Sequence, residues 1–260
     1  MTALVLQKLY HWFDSYTECF LLEYPHYHDN LKLKKEHSLR VCSIIRRLAS
    51  GTGLDGDQAA SAEIAALLHD VGRFRQYAEY GTFSDAASED HGSLSVSVID
   101  GEGLLRECRP ETRDTIRFAV QYHNKAAIPH SGDDTTLHIA KLLRDADKID
   151  IWHVVTEHYL AGDAAGIASM LDLPDNDEIS PRICDDIRAG TIARMEHLQS
   201  CNDLKLLQMA WVYDINFPES FKVIQEKGYI DILRDSLPDR PEVREIYHSI
   251  MSHVSSRTQR

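Results

Sequence analysis

Six side chains dominate the chemistry open to this sequence: His37, the doublet His69-Asp70, His91, His123 and Asp147. Each lies on, or one turn from, the apolar stripe of a helical pattern. His37 stands four residues before Val41, in a stripe continued by Ile44, Ile45 and Leu48. Ile64, Leu67, Leu68 and Val71 surround the His69-Asp70 doublet. His91 precedes Leu94 and Val98, Ile116, Ala119 and Val120 lead to His123, and Asp147 lies one turn from both Leu143 and Ile151. A single inward histidine is ordinarily a hydrogen-bonded core residue. An inward aspartate is harder to accommodate, because an unpaired buried carboxylate costs about several kcal/mol. Imidazole nitrogens and carboxylate oxygens gathered from five helices suit a divalent cation, whose charge offsets the burial of Asp70 and Asp147. With no thiolate in the set, the expected ions are Mn, Fe, Mg, Ni or Zn, one or two per chain.

The segments that carry these groups read as helices. Periodicity predicts helices over residues 3–22 and 31–49, the latter closed by Gly51 and Gly53. A third, capped by Asp55 or Asp57, is expected to run to Val71 and stop at Gly72. The stretch from Phe74 to Glu89 reads as a long loop. Helices follow near residues 91–100, 111–124 and 136–160, and later over 183–199, 204–214, 219–227 and 241–254. No alternating segment competes, so the fold class is all-α. Gly, Asp and Pro accumulate over residues 162–181. The expected organisation is therefore a domain over 1–165, with its N-terminal helix, and a helical extension over 166–260.

Composition excludes several functions. The 260 residues carry 41 acids against 28 Lys and Arg, a net charge of −13, which disfavours a nucleic-acid polymer or an anionic membrane surface as partner. The 13 Gly and 8 Pro are too few for a turn-rich β protein. Five scattered cysteines without a C-x-x-C pair give no disulfide framework. The N-terminus lacks a basic start and a small-residue cleavage site, and no 18 apolar residues run together. A cytoplasmic protein is expected.

The motifs His37-Ser-Leu-Arg40-Val41, Ala65-Ala-Leu-Leu-His69-Asp70-Val-Gly72-Arg73 and Leu143-Arg-Asp145-Ala-Asp147-Lys148-Ile-Asp150 resemble the HD-domain superfamily of metal-dependent phosphohydrolases. The resemblance covers about residues 30 to 160. It implies an all-α helical bundle in which His37, His69, Asp70 and Asp147 bind one metal. Asp147 is preferred to Asp145, which falls off the Leu143–Ile151 stripe. His91 and His123 sit where some members place ligands to a second ion, with Asp70 as the bridge; in others, residues near these positions line the pocket or act as general acid.

The implied reaction is hydrolysis of a small phosphate ester, a nucleotide among the candidates, by metal-activated water. The cations best placed to assist are Arg73 and Lys148, with Arg40 weaker. The catalytic set is thus Asp70, Arg73, His91, His123 and Lys148. The signatures of cyclic dinucleotide phosphodiesterases, the synthetase domain of alarmone enzymes and the length of large deoxynucleoside triphosphate hydrolases are all missing. Two other readings share the motif set, an HD-fold di-iron oxygenase and a non-catalytic ligand sensor. Self-association is left open, and residues 184–260 carry no interpretable motif.

Overall fold

The computed structural model describes residues 2–130, 133–162 and 173–258, and among these every regular element is helical. The chain divides into two compact units, Met1–Asp147 and Lys148–Arg260. The domain boundary expected at 165/166 lies outside the described residues.

The first unit contains α1 (Thr2–Glu23), α2 (His28–Ala49), α3 (Gly56–Leu68), α4 (Gly72–Tyr80), α5 (His91–Gly101), α6 (Pro110–Tyr122) and the first half of α7 (Asp134–Leu160). Its hub is α3, which packs against α1, α2 and α6. Every residue from Ala60 to Leu68 is buried. The alanine-rich sequence explains this, since a helix apolar all round and bearing small side chains can be enclosed on every face. Its start is fixed by a capping box. Asp55 accepts from the Asp57 and Gln58 amides, and the Gln58 side chain accepts from the Asp55 amide, an arrangement worth about 1 kcal/mol. The buried Glu63 is satisfied by Tyr10 Oη at 2.6 Å and Arg46 Nη1 at 2.8 Å.

Two sequence expectations change here. The third helix ends at Leu68 and not at Val71, and Gly72 opens α4 instead of terminating its predecessor. Gly72 is required for close approach. A Cβ at this position would stand 2.5 Å from Ser95 N and 2.7 Å from the carbonyl carbon of Leu94. The Gly72 amide donates to Ser95 Oγ at 2.9 Å, tying α4 to α5. The stretch expected as a loop from Phe74 is helical as far as Tyr80. Its aromatic residues serve packing: Phe74 is fully buried against the rings of Phe13, Tyr16 and Phe20. The loop proper begins at Gly81, whose φ of +65° closes α4 in the left-handed conformation.

The second unit contains the remainder of α7 with α8 (Pro181–Arg188), α9 (Cys201–Ala210), α10 (Pro218–Lys227), α11 (Tyr229–Asp235) and α12 (Pro241–Thr258). The helix expected over 183–199 is broken. It stops at Arg188 ahead of Gly190 at φ +70°, and the chain resumes as a 3-10 turn at Met195–His197. Gly228, at φ +64°, ends α10 and admits α11, which hydrophobic periodicity did not signal. The core forms around the fully buried Trp152, which packs on Trp211 and Tyr229 and donates to the Gln208 carbonyl at 3.0 Å.

Two glycine substitutions test this packing. Gly72→Ala should destabilise the chain by about 1–3 kcal/mol, because backbone atoms block the new methyl. Gly101→Ala, with open space around it, should stabilise by about 0.4–1 kcal/mol. Urea unfolding midpoints should move in opposite directions; a neutral Gly72→Ala would contradict the close α4–α5 contact.

Candidate metal centre

The end of α3 delivers the first two groups. His69 caps the helix and turns its ring back, so that Nδ1 meets the Ala66 carbonyl at 2.7 Å. His123 caps α6 in the same way, with Nδ1 2.7 Å from the Val120 carbonyl. In both cases a helix-end carbonyl lacking an intrahelical donor is satisfied. The ring proton is thereby held on Nδ1, and the lone pair of Nε2 points inward. His91 opens α5 and reaches the same state by another route, its Nδ1 lying 2.6 Å from Asp85 Oδ2. His37 comes from the buried face of α2 and Asp147 from α7.

All six predicted ligands converge in the first unit. Asp70 Oδ2 lies 3.6 Å from His37 Nε2 and 3.7 Å from His69 Nε2. Asp147 Oδ1 faces the same two nitrogens at 3.1 and 3.7 Å. The other oxygen of Asp70, Oδ1, lies 3.6 Å from His91 Nε2 and 3.8 Å from His123 Nε2. One carboxylate thus spans two clusters. Asp145 is fully buried as well, contrary to its expected place off the stripe, but it is in none of the candidate cation clusters among the described residues.

The donor chemistry fits cations. Within each cluster the imidazole nitrogens oppose one another, His37 and His69 at 3.2 Å and His91 and His123 at 3.0 Å. With both Nδ1 protons committed outward, the His91–His123 pair directs two lone pairs at each other. Asp70 Oδ1 adds an acceptor that is buried and has no hydrogen-bond partner. Ligand atoms about 2.0–2.2 Å from a divalent ion lie roughly 3–3.5 Å apart, close to the separations found.

Protonation agrees with this. Burial pushes His123 down to about 3, with His91 and His69 adding to the effect. Burial also lowers His91, against the opposing pull of Asp85 and Asp70. Neutral imidazole is the form a metal binds. Burial works to raise Asp70, but Lys34, His69, Arg73 and His91 outweigh it and hold the carboxyl well below the usual range. For Asp147, burial is likewise overcome, chiefly by His37, whose Nε2 lies 3.1 Å from Oδ1, and the carboxyl is held well below the usual range.

Two cations flank the centre. Lys34, one turn before His37, places Nζ 2.8 Å from Asp70 Oδ2. Arg73 places Nε 3.5 Å from Asp70 Oδ1 and Nη2 3.3 Å from His91 Nε2. Its Nη1 is held by Gln76 Oε1 at 2.8 Å, Asp85 Oδ1 at 3.0 Å and the Phe83 carbonyl. Lys148 is disposed otherwise. It belongs to the second unit, where its ammonium pairs with Asp214 at 2.6 Å. Arg40 lies partly buried on α2.

Sequence reasoning missed Lys34, Gln76, Asp85 and Asn124. Lys34 could have been found, since it shares a helical face with His37 one turn away. Asp85 lies in a loop, where no periodicity marks it.

Residues 35–152 match the family model described as HD domain. No curated protein and no solved structure matches the chain. The matched segment contains all six converging residues, from His37 on α2 to Asp147 on α7. With a histidine, a helix-end His-Asp doublet and a distal aspartate gathered in one helical unit, residues 35–152 are an HD domain.

Proposed function

We propose that this protein is a metal-dependent phosphohydrolase acting on a phosphate ester of a small molecule, with a nucleotide among the candidates. An HD domain carries a metal-dependent, hydrolase-type function in general terms. The finer reading rests on one observation: a single buried carboxylate, Asp70, has opposed imidazole pairs on both sides and two further cations, Lys34 and Arg73, at its edges. His37, His69, Asp70 and Asp147 would hold one ion, and Asp70, His91 and His123 a second. Bound there, divalent ions supply Lewis acidity and an activated water.

The protein's own groups supply the rest. A transferring phosphoryl group spreads charge over its equatorial oxygens, and fixed cations stabilise that charge. Lys34 and Arg73 serve this role. The guanidinium of Arg73 is already oriented by Gln76, Asp85 and the Phe83 carbonyl, so little ordering is lost when substrate binds. His91 and His123 have committed their ring protons to Asp85 and the Val120 carbonyl. Each has a lone pair to give and no free proton, which favours the role of ligand over that of general acid. Lys148 pairs with Asp214, whereas Lys34 and Arg73 lie against Asp70, so the assignment goes to those two.

The net charge of −13 favours a small substrate over a polymeric one. No helix among the described residues is long and apolar enough to cross a membrane. The five cysteines are free, which accords with the cytoplasmic location included in this reading.

Metal analysis, combined with phosphate release from a panel of nucleotides and generic phosphate esters, tests the proposal. Two ions per chain and Mn²⁺-dependent phosphate release are expected. Dioxygen uptake without phosphate release would replace hydrolysis by the oxygenase reading. Asp147→Ala should weaken metal binding and cut phosphate release by about 10²-fold or more, while Lys34→Met should lower kcat by about 10²-fold with the metal content intact. Undiminished turnover in Lys34→Met would remove that residue from the mechanism.

A further inference from the structure

The loop between α4 and α5 has one residue that touches the centre from outside, Asp85. Its Oδ2 accepts from His91 Nδ1 at 2.6 Å and from Asn124 Nδ2 at 3.2 Å. Its Oδ1 accepts from Arg73 Nη1 and Gln76 Nε2, both at 3.0 Å. Gln76 is fully buried, and its amide also donates to Ser88 Oγ and the Glu89 carbonyl, each at 2.8 Å. A buried amide is therefore spent on pinning this loop. Asn124 bonds Asp90 Oδ2 at 2.9 Å as well, joining the end of α6 to the N-cap of α5. The ends of α5 and α6 meet closely because Gly92 lacks a side chain. A Cβ there would come within 2.9 Å of the Gln121 carbonyl and 3.0 Å of Asn124 Oδ1.

These contacts converge on one result. Asp85 faces the outer nitrogen of His91, so it is not itself a cation ligand, yet it determines which nitrogen bears the proton. The same carboxylate also holds the guanidinium whose Nη2 lies 3.3 Å from the inner nitrogen of His91. We propose that Asp85 is the positioning residue of the second cation position. Its carboxylate fixes His91 with the Nε2 lone pair facing inward and docks Arg73 beside Asp70 Oδ1, coupling a metal ligand to a phosphate-binding cation. This inference rests on the two-ion reading of the site. A carboxylate behind a ligating imidazole raises its basicity and fixes its orientation, and losing such a partner typically costs 10–100-fold in metal affinity.

Asp85→Asn preserves shape and removes the charge. Isothermal titration of the chelator-stripped full chain with Mn²⁺ reads both ions without any substrate, so it is separate from the phosphate-release assay. Asp85→Asn should weaken the second Mn²⁺ by about 10–100-fold and leave the first unchanged. In a His91→Ala background it should add no further loss, an outcome that a merely structural role for the loop would not produce. Asp85→Glu, which restores the charge, should recover part of the affinity and guards against a folding defect in the asparagine variant. The proposal is overturned if Asp85→Asn binds both ions as tightly as the parent chain, if its loss persists undiminished without His91, or if the parent chain binds fewer than two ions.

Discussion

The centre depends on the burial of one carboxylate, Asp70, at the end of a helix enclosed on all sides. A carboxylate in such a place must be compensated, because desolvation alone costs about several kcal/mol. Lys34 supplies a direct partner at 2.8 Å, and Arg73 lies near the other oxygen. That compensation is incomplete. Oδ1 has no hydrogen-bond partner, and the imidazole nitrogens around it are acceptors, not donors. The interior is therefore rich in lone pairs and short of protons. Positive charge is what such an arrangement stabilises, and the chemistry proposed above follows from it.

Rigid elements bring the electron-rich groups together. His69 and His123 occupy equivalent positions at the ends of α3 and α6, each ring folded onto the carbonyl three residues earlier. The local helix end, not a distant partner, sets the direction of Nε2. Gly72 and Gly92 then allow α4 to approach α5 and α5 to approach α6 more closely than any side chain would permit. Those approaches place His91 within 3.0 Å of His123. Ligands anchored on helices hold their geometry better than ligands on loops. The loop carrying Asp85 is the exception, and it is held by bonds to Gln76, Arg73 and Asn124.

Much of this was legible in the sequence because burial leaves a periodic trace. A polar residue on an apolar helical stripe is conspicuous, and that signal picked out His37, His69, Asp70, His91, His123 and Asp147 together. The same signal failed where structure is set by close approach or by loop contacts. Gly72 reads as a helix stop, since sequence does not reveal that Ser95 and Leu94 press against it. The stretch from Phe74 reads as a loop because the burial of Phe74 against Phe13 and Phe20 is a tertiary matter. Asp85 belongs to no stripe, and its importance comes only from the imidazole it meets. Adjacency to Asp147 along the chain likewise did not foretell the pairing of Lys148 with Asp214.

The six side chains are proposed to form two adjoining cation positions that share Asp70. Anomalous diffraction from crystals grown with Mn²⁺ would locate the ions. Two anomalous peaks are expected, one among His37, His69, Asp70 and Asp147, the other among Asp70, His91 and His123. Crystals that show no peak among these residues at saturating Mn²⁺ would contradict the proposal.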